Sequence, residues 1–108
     1  MINIVIVEDE MLVRLGMKMC LDEYSAELKV AAAFGSGEDA EHYFRQNTAD
    51  VLITDIRLTG ETGLDLIRHL KYQMTHMAVN VLCCYEDFSY ARSAIELGGG
   101  KYMLKHAL

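Results

Sequence analysis

The chain has 108 residues, 52% hydrophobic and 24% charged, with a formal net charge of −6. That length suits one domain able to bury about two-thirds of its unfolded surface, and the acidic balance argues against a segment that grips nucleic acid through clustered Lys and Arg. The apolar stretches fall short of a membrane span and no basic-then-apolar leader opens the chain, so we expect a cytoplasmic protein with no membrane partner.

The first strand is expected at Ile2–Val7, an almost continuous apolar run that stops at Glu8-Asp9. A helix follows near Met11–Glu23, with Leu12, Leu15, Met19 and Glu23 at helical spacing and an apolar face toward the core. Leu28–Phe34 is the second strand. Ser36-Gly37-Glu38-Asp39 has the spacing of a capping box, and the helix it opens runs to about Gln46. The third strand, Asp50–Thr54, ends at Asp55 and is apolar at its centre, which suits a central position in a sheet. Thr62-Gly63-Leu64-Asp65 repeats the capping spacing and opens a helix carrying Leu64, Ile67, Leu70 and Met74. The fourth strand is near Val79–Cys83. A fourth helix spans about Asp87–Leu97 and is stopped by Gly98-Gly99-Gly100. The fifth strand, Lys101–Leu104, ends at Lys105.

Strands alternating with helices call for βαβ crossovers and a parallel sheet covered on both faces, a doubly wound α/β fold. The expectation is one domain over residues 1–108, truncated after the fifth strand, with a fifth helix absent from this chain.

Ligands of such sheets bind at the carboxyl ends of the strands. Glu8, Asp9, Asp55 and Lys105 all fall there. Alone, an acid after a strand is ordinarily a helix cap or loop residue, and a lone lysine is ordinarily solvated. Together they are a matched set. If the first and third strands are neighbours, carboxylates about 4 Å apart repel by about 4 kcal/mol at an effective dielectric near 20, so such a group shares a proton or holds a cation. Mg²⁺ favours a few carboxylate oxygens with waters and phosphate oxygens. Lys105 adds a point donor for a phosphate. The set suits phosphoryl transfer, where positioning and charge neutralisation dominate.

Three cysteines, Cys20, Cys83 and Cys84, are odd in number and lack metal-ligand spacing, so neither a disulfide framework nor a zinc site is expected. His42, His69, His76 and His106 share no spacing and read as surface or cap residues. The seven methionines read as core filler on helical faces.

These residues resemble the receiver domain of two-component response regulators, over essentially the whole chain. Ile4-Val5-Ile6-Val7-Glu8-Asp9-Glu10 resembles the family's first strand and acidic pair, Asp55 to Gly63 the phosphoacceptor segment with its glycine eight residues on, and Tyr102-Met103-Leu104-Lys105 the switch-aromatic and lysine segment. Tyr85-Glu86-Asp87-Phe88-Ser89-Tyr90-Ala91 resembles the subset with an AraC-type DNA-binding output. The resemblance implies a flavodoxin-like strand order of 2-1-3-4-5. It implies that Asp55 accepts a phosphoryl group from a sensor histidine kinase. It also implies Mg²⁺ held by Asp9, Asp55 and the Arg57 backbone carbonyl, with Glu8 acting through water and Lys105 on the phosphate. The active state would be a homodimer, and the DNA-binding output domain would lie outside this chain. The domain would be a signalling module rather than an enzyme.

Three positions depart from the family pattern. Cys83 stands where the family has a Ser or Thr that bonds the phosphate while the aromatic, here Tyr102, turns inward; a thiol is a weaker donor. Read without the resemblance, Cys83 is a small buried apolar residue. Thr59 and His106 replace prolines, and in the family the bond after the lysine is cis, which a non-proline residue disfavours by about 2.5–4 kcal/mol. These departures motivate the alternative of a degenerate receiver, a dimerisation or docking module independent of phosphorylation. An aspartyl phosphatase or mutase is disfavoured, since such enzymes want a carboxylate where Arg57 stands. A nucleotide or flavin binder lacks its glycine-rich turn after the first strand.

Overall fold

The computed structural model describes residues 1–56, 58, 62–71, 76–83 and 101–104; of Leu64, Lys71, Cys83 and 101–104 it describes the backbone. The expected fourth helix, Met74, Arg57, Thr59, Lys105 and His106 lie outside the described residues.

Five strands, β1 (Ile2–Val7), β2 (Leu28–Phe34), β3 (Val51–Asp55), β4 (Ala78–Cys83) and β5 (Lys101–Leu104), form one parallel sheet in the order β2-β1-β3-β4-β5. The described helices are α1 (Met11–Tyr24), α2 (Gly37–Phe44) and α3 (Gly63–Lys71). After β1 the chain winds toward β2, and from β2 onward it winds the other way. Right-handed crossovers then put α1 on one face and α2 and α3 on the opposite face. Packing follows that division. Val5, Val7, Leu52, Val79 and Val81 join Ala40 and Phe44 of α2 and Leu66, Ile67 and Leu70 of α3 in the larger core. On the other face, Ile4, Ile6 and Val30 meet Met17 and Leu21 of α1.

The capping readings hold. The Asp39 amide donates to Ser36 Oγ at 3.2 Å and the Asp65 amide to Thr62 Oγ1 at 3.1 Å, each satisfying one orphan donor of a helix start. Helix α2 stops at Phe44 rather than Gln46, where the Arg45 and Gln46 amides turn back to the His42 and Tyr43 carbonyls.

The expected apolar face of α1 is corrected. Leu12 is 80% exposed and Met19 61%, while Met17 and Leu21 pack on the sheet. At 100° per residue, Leu12, Leu15 and Met19 lie roughly opposite Val13, Met17 and Leu21. Both stripes have helical spacing, so periodicity alone could not choose. Two polar anchors decide the phase: Arg14 Nη1 donates to the Glu8 carbonyl at 2.6 Å, and Asp22 Oδ1 accepts from the Val30 amide at 3.1 Å. The second sits where the β1–β2 register slips between Ile4 and Val5, a bulge that disturbs the ladder.

Register positions everything above the sheet. At its lower end, the Asn3 amide donates to Asp50 Oδ2 at 2.8 Å and the Asp50 amide returns a bond to the Asn3 carbonyl at 2.9 Å. Asp50 also accepts from the Ala78 amide at 3.0 Å through its carbonyl. Asp50, expected to begin the third strand, instead ties β3 to both neighbours just below it. From there Val7 aligns with Thr54 and Asp55 with Leu82.

Candidate metal centre

With Val7 beside Thr54, the next residues of the two strands, Glu8 and Asp55, emerge side by side at the carboxyl edge. This is the point where the winding reverses, the position at which open α/β sheets bind their ligands. One oxygen each from Glu8, Asp9 and Asp55 lies within 4.8 Å of the others. Glu8 is fully buried and Asp55 is 4% exposed, while Asp9 is exposed. The exposed acid beside two buried ones leaves the cluster within reach of solvent at Asp9.

The backbone around these acids is held closely. The Glu8 amide donates to the Phe34 carbonyl at 2.9 Å, and Glu8 Oε1 accepts from the Glu10 amide at 3.2 Å. Glu10 is the N-cap residue of α1, so the Glu8 side chain also ties strand end to helix start. On the other side, the Ile56 amide donates to the Leu82 carbonyl at 3.0 Å and the Gly63 amide to the Ile56 carbonyl at 2.8 Å. A Cβ at Gly63 would lie 2.2 Å from the Asp55 carbonyl oxygen and 2.9 Å from Ile56 Cα. Only glycine lets α3 approach the end of β3 this closely.

All three converging donors are carboxylate oxygens, the hard ligands that suit Mg²⁺, Ca²⁺ or Mn²⁺ rather than a thiolate- or imidazole-seeking metal. The donor chemistry therefore fits a hard divalent cation.

The other expected site residues are placed by backbone or fall outside. Cys83 is the last residue of β4, aligned with Leu104 of β5, and Tyr102 aligns with Val81. By register Cys83 therefore lies one row above Asp55, at the carboxyl edge, and Tyr102 one row below it, on the β4–β5 side. Arg57 and Lys105 lie outside the described residues.

Sequence reasoning missed Arg14 and Gly35. Arg14 Nη1 lies 3.1 Å from the point a Gly35 Cβ would occupy, as well as holding the Glu8 carbonyl. No spacing rule singles out an arginine six residues after an acid; the phase of α1 had to be known first.

Residues 4–107 match the family model for the response regulator receiver domain. The chain belongs to the response regulator receiver family. Among curated relatives of this receiver domain, UvrY of Escherichia coli K12 is 28% identical over 107 residues, 99% of this chain and 49% of UvrY. DegU of Brevibacillus brevis, a transcriptional regulatory protein, is 32% identical over 104 residues, 96% of this chain and 44% of DegU. The crystal structure of a response regulator receiver domain protein from Clostridium thermocellum superposes with a TM-score of 0.88 at 28% identity, covering 97% of this chain and 82% of that one. The receiver domain thus spans about half the length of the curated relatives named here. Among its described residues no helix is long and apolar enough to cross a membrane.

Proposed function

We propose that Asp55 is the phosphoacceptor of this receiver domain and that the residues around it hold Mg²⁺ for the transfer. Convergence of Glu8, Asp9 and Asp55 oxygens within 4.8 Å of one another is the observation that carries the reading. By the family resemblance Asp9, Asp55 and the Arg57 carbonyl would hold the ion, with Glu8 acting through water. When bound, the ion neutralises charge on the phosphoryl oxygens and on Asp55 together.

An Asp55 carboxylate oxygen attacks phosphorus of a phosphohistidine on a sensor kinase. The new P–O bond forms as the P–N bond breaks; the imidazole leaves with the electron pair and takes a proton from water. Burial of Asp55 fixes the direction of attack and keeps its oxygen within a preset geometry. Lys105 contacts the transferred phosphoryl oxygens. Cys83 and Tyr102 occupy the two relay positions, and the thiol makes that relay weaker than a hydroxyl would. Hydrogen bonds to charged groups contribute about 1.5–3 kcal/mol, so the relay loses a large part of a typical allosteric coupling of about 1–3 kcal/mol.

Residues 1–108 act as one receiver unit in the cytoplasm. The phosphorylated form pairs as a homodimer and drives an output that binds DNA. Support for a transcriptional output comes from DegU, a transcriptional regulatory protein, and from the local resemblance to the AraC-type subset.

Intact-mass spectrometry after incubation with acetyl phosphate and Mg²⁺ tests the reading. The expected result is a gain of one phosphoryl group in the wild type, none in Asp55→Asn, and none with EDTA. An unchanged wild-type mass overturns phosphoacceptance.

A further inference from the structure

We infer that Arg14 is a positioning residue for the metal ligands and that Gly35 exists as glycine to make room for it. The inference rests on the proposed function, because it assigns a role in holding that same site.

Glu8 and Asp9 are consecutive, so one peptide unit joins them, and its carbonyl is that of Glu8. Arg14 Nη1 donates to that carbonyl at 2.6 Å, a short charge-assisted bond from a half-buried side chain. Turning this peptide would rotate Asp9, the exposed and least restrained of the three acids, away from the cluster. The Glu8 amide on β2 and the Glu8 carboxylate on the Glu10 amide hold the residue itself. The second of these bonds closes a ring across the Glu8–Asp9 peptide, and Arg14 adds a side-chain hold on that peptide's own carbonyl oxygen.

Gly35 supports the same geometry from the loop between β2 and α2. A Cβ there would sit 3.1 Å from Nη1 and 3.8 Å from Cζ of Arg14, and beyond its chain neighbours it would meet nothing else within 4 Å among the described residues. The guanidinium therefore lies over the glycine, between the ends of β1 and β2. Alanine at this position would shift the guanidinium by a few tenths of an ångström, and with it the bond to Glu8. Because the atom met is the far end of a flexible side chain, the fold itself is spared.

The position also sets an electrostatic contest whose outcome identifies the role. As a bare positive charge beside a cation site, Arg14 would oppose metal binding, and its removal would tighten it. As the restraint on the Glu8–Asp9 peptide, its removal loosens the ligands and weakens binding. Loss of an outer-shell partner typically costs about 10- to 100-fold in metal affinity.

The test is isothermal titration of the whole chain with Mg²⁺ alone, for wild type, Arg14→Ala, Arg14→Lys, Gly35→Ala and the Arg14→Ala/Gly35→Ala double variant. The Glu8 carbonyl ¹³C shift is recorded for each without metal. Arg14→Ala should raise the Mg²⁺ Kd by about tenfold and move the Glu8 shift. Arg14→Lys should recover part of both, and Gly35→Ala should give a smaller rise. In the double variant Gly35→Ala should add nothing, because the group it displaces is gone. Tighter binding in Arg14→Ala, or an unchanged Kd with only a lower melting temperature, overturns the inference. Additive losses in the double variant overturn the role of Gly35. A wild type that takes no Mg²⁺ overturns the proposed function and this inference with it, whereas wild-type binding with indifferent Arg14 variants overturns the inference alone.

Discussion

At the scale of single residues, the site is set by close backbone approach as much as by charge. Glycine at 63 and at 35 illustrates two different demands. At Gly35 an added methyl meets a movable guanidinium, whereas at Gly63 it meets the Asp55 carbonyl oxygen at 2.2 Å and Asp55 C at 3.0 Å. Those atoms belong to β3, the central strand, and cannot yield without dragging Asp55. Gly63→Ala should therefore destabilise by about 3 kcal/mol, the upper part of the usual range for overpacking, and also weaken Mg²⁺ binding. Urea unfolding with and without the ion would show both; an unchanged midpoint would mean that α3 can retreat without cost. The acids were legible because each ends an apolar run, a pattern that needs no tertiary knowledge. Arg14 was not, since its importance depends on which way α1 faces.

At the scale of elements, the strands and the cap signals were legible, and the phase of α1 was not. Each strand is a compact apolar run with polar limits, so its boundaries shift by a residue at most, as Asp50 and Asp55 show at the two ends of β3. Helix α1 carries apolar residues on two opposite flanks, and the choice falls to Arg14 and to Asp22. The Val30 amide donating to Asp22, with the Lys18 ammonium at 3.1 Å, holds the Asp22 carboxyl below its ordinary range. A depressed folded pKa gives stability that is present above the unfolded value and fades as pH falls through the folded one. Asp22→Asn keeps an acceptor for Val30 but loses the titration. Its urea midpoint should lie below wild type near neutrality and converge with it under acid conditions below the usual carboxylate range. A constant gap across that pH range would assign the anchor to hydrogen bonding alone.

At the scale of the whole molecule, the strand order was supplied by family resemblance and the site by residue chemistry, and the observed β1–β3 register joins the two. That register also creates a conflict between stability and function. A chain of net charge −6 brings three carboxylates within 4.8 Å of one another. Without a cation their repulsion opposes folding, so relieving it should stabilise the protein, as often happens when a functional site is dismantled. Because Asp9 is exposed, solvent screening reduces the gain from Asp9→Asn to about 1 kcal/mol. For a domain of this size that corresponds to a melting temperature about 4 °C higher in EDTA. Mg²⁺ reverses the order. At a concentration ten times the wild-type Kd, the ion adds about 1.4 kcal/mol to the protein that binds it, and little to the variant that has lost a ligand. Thermal melts of the two proteins in EDTA and in Mg²⁺ should therefore cross, with the variant above the wild type in the first and below it in the second. Parallel shifts in the two buffers would mean that the ion acts elsewhere on the acidic surface, and that proximity of these carboxylates serves no metal.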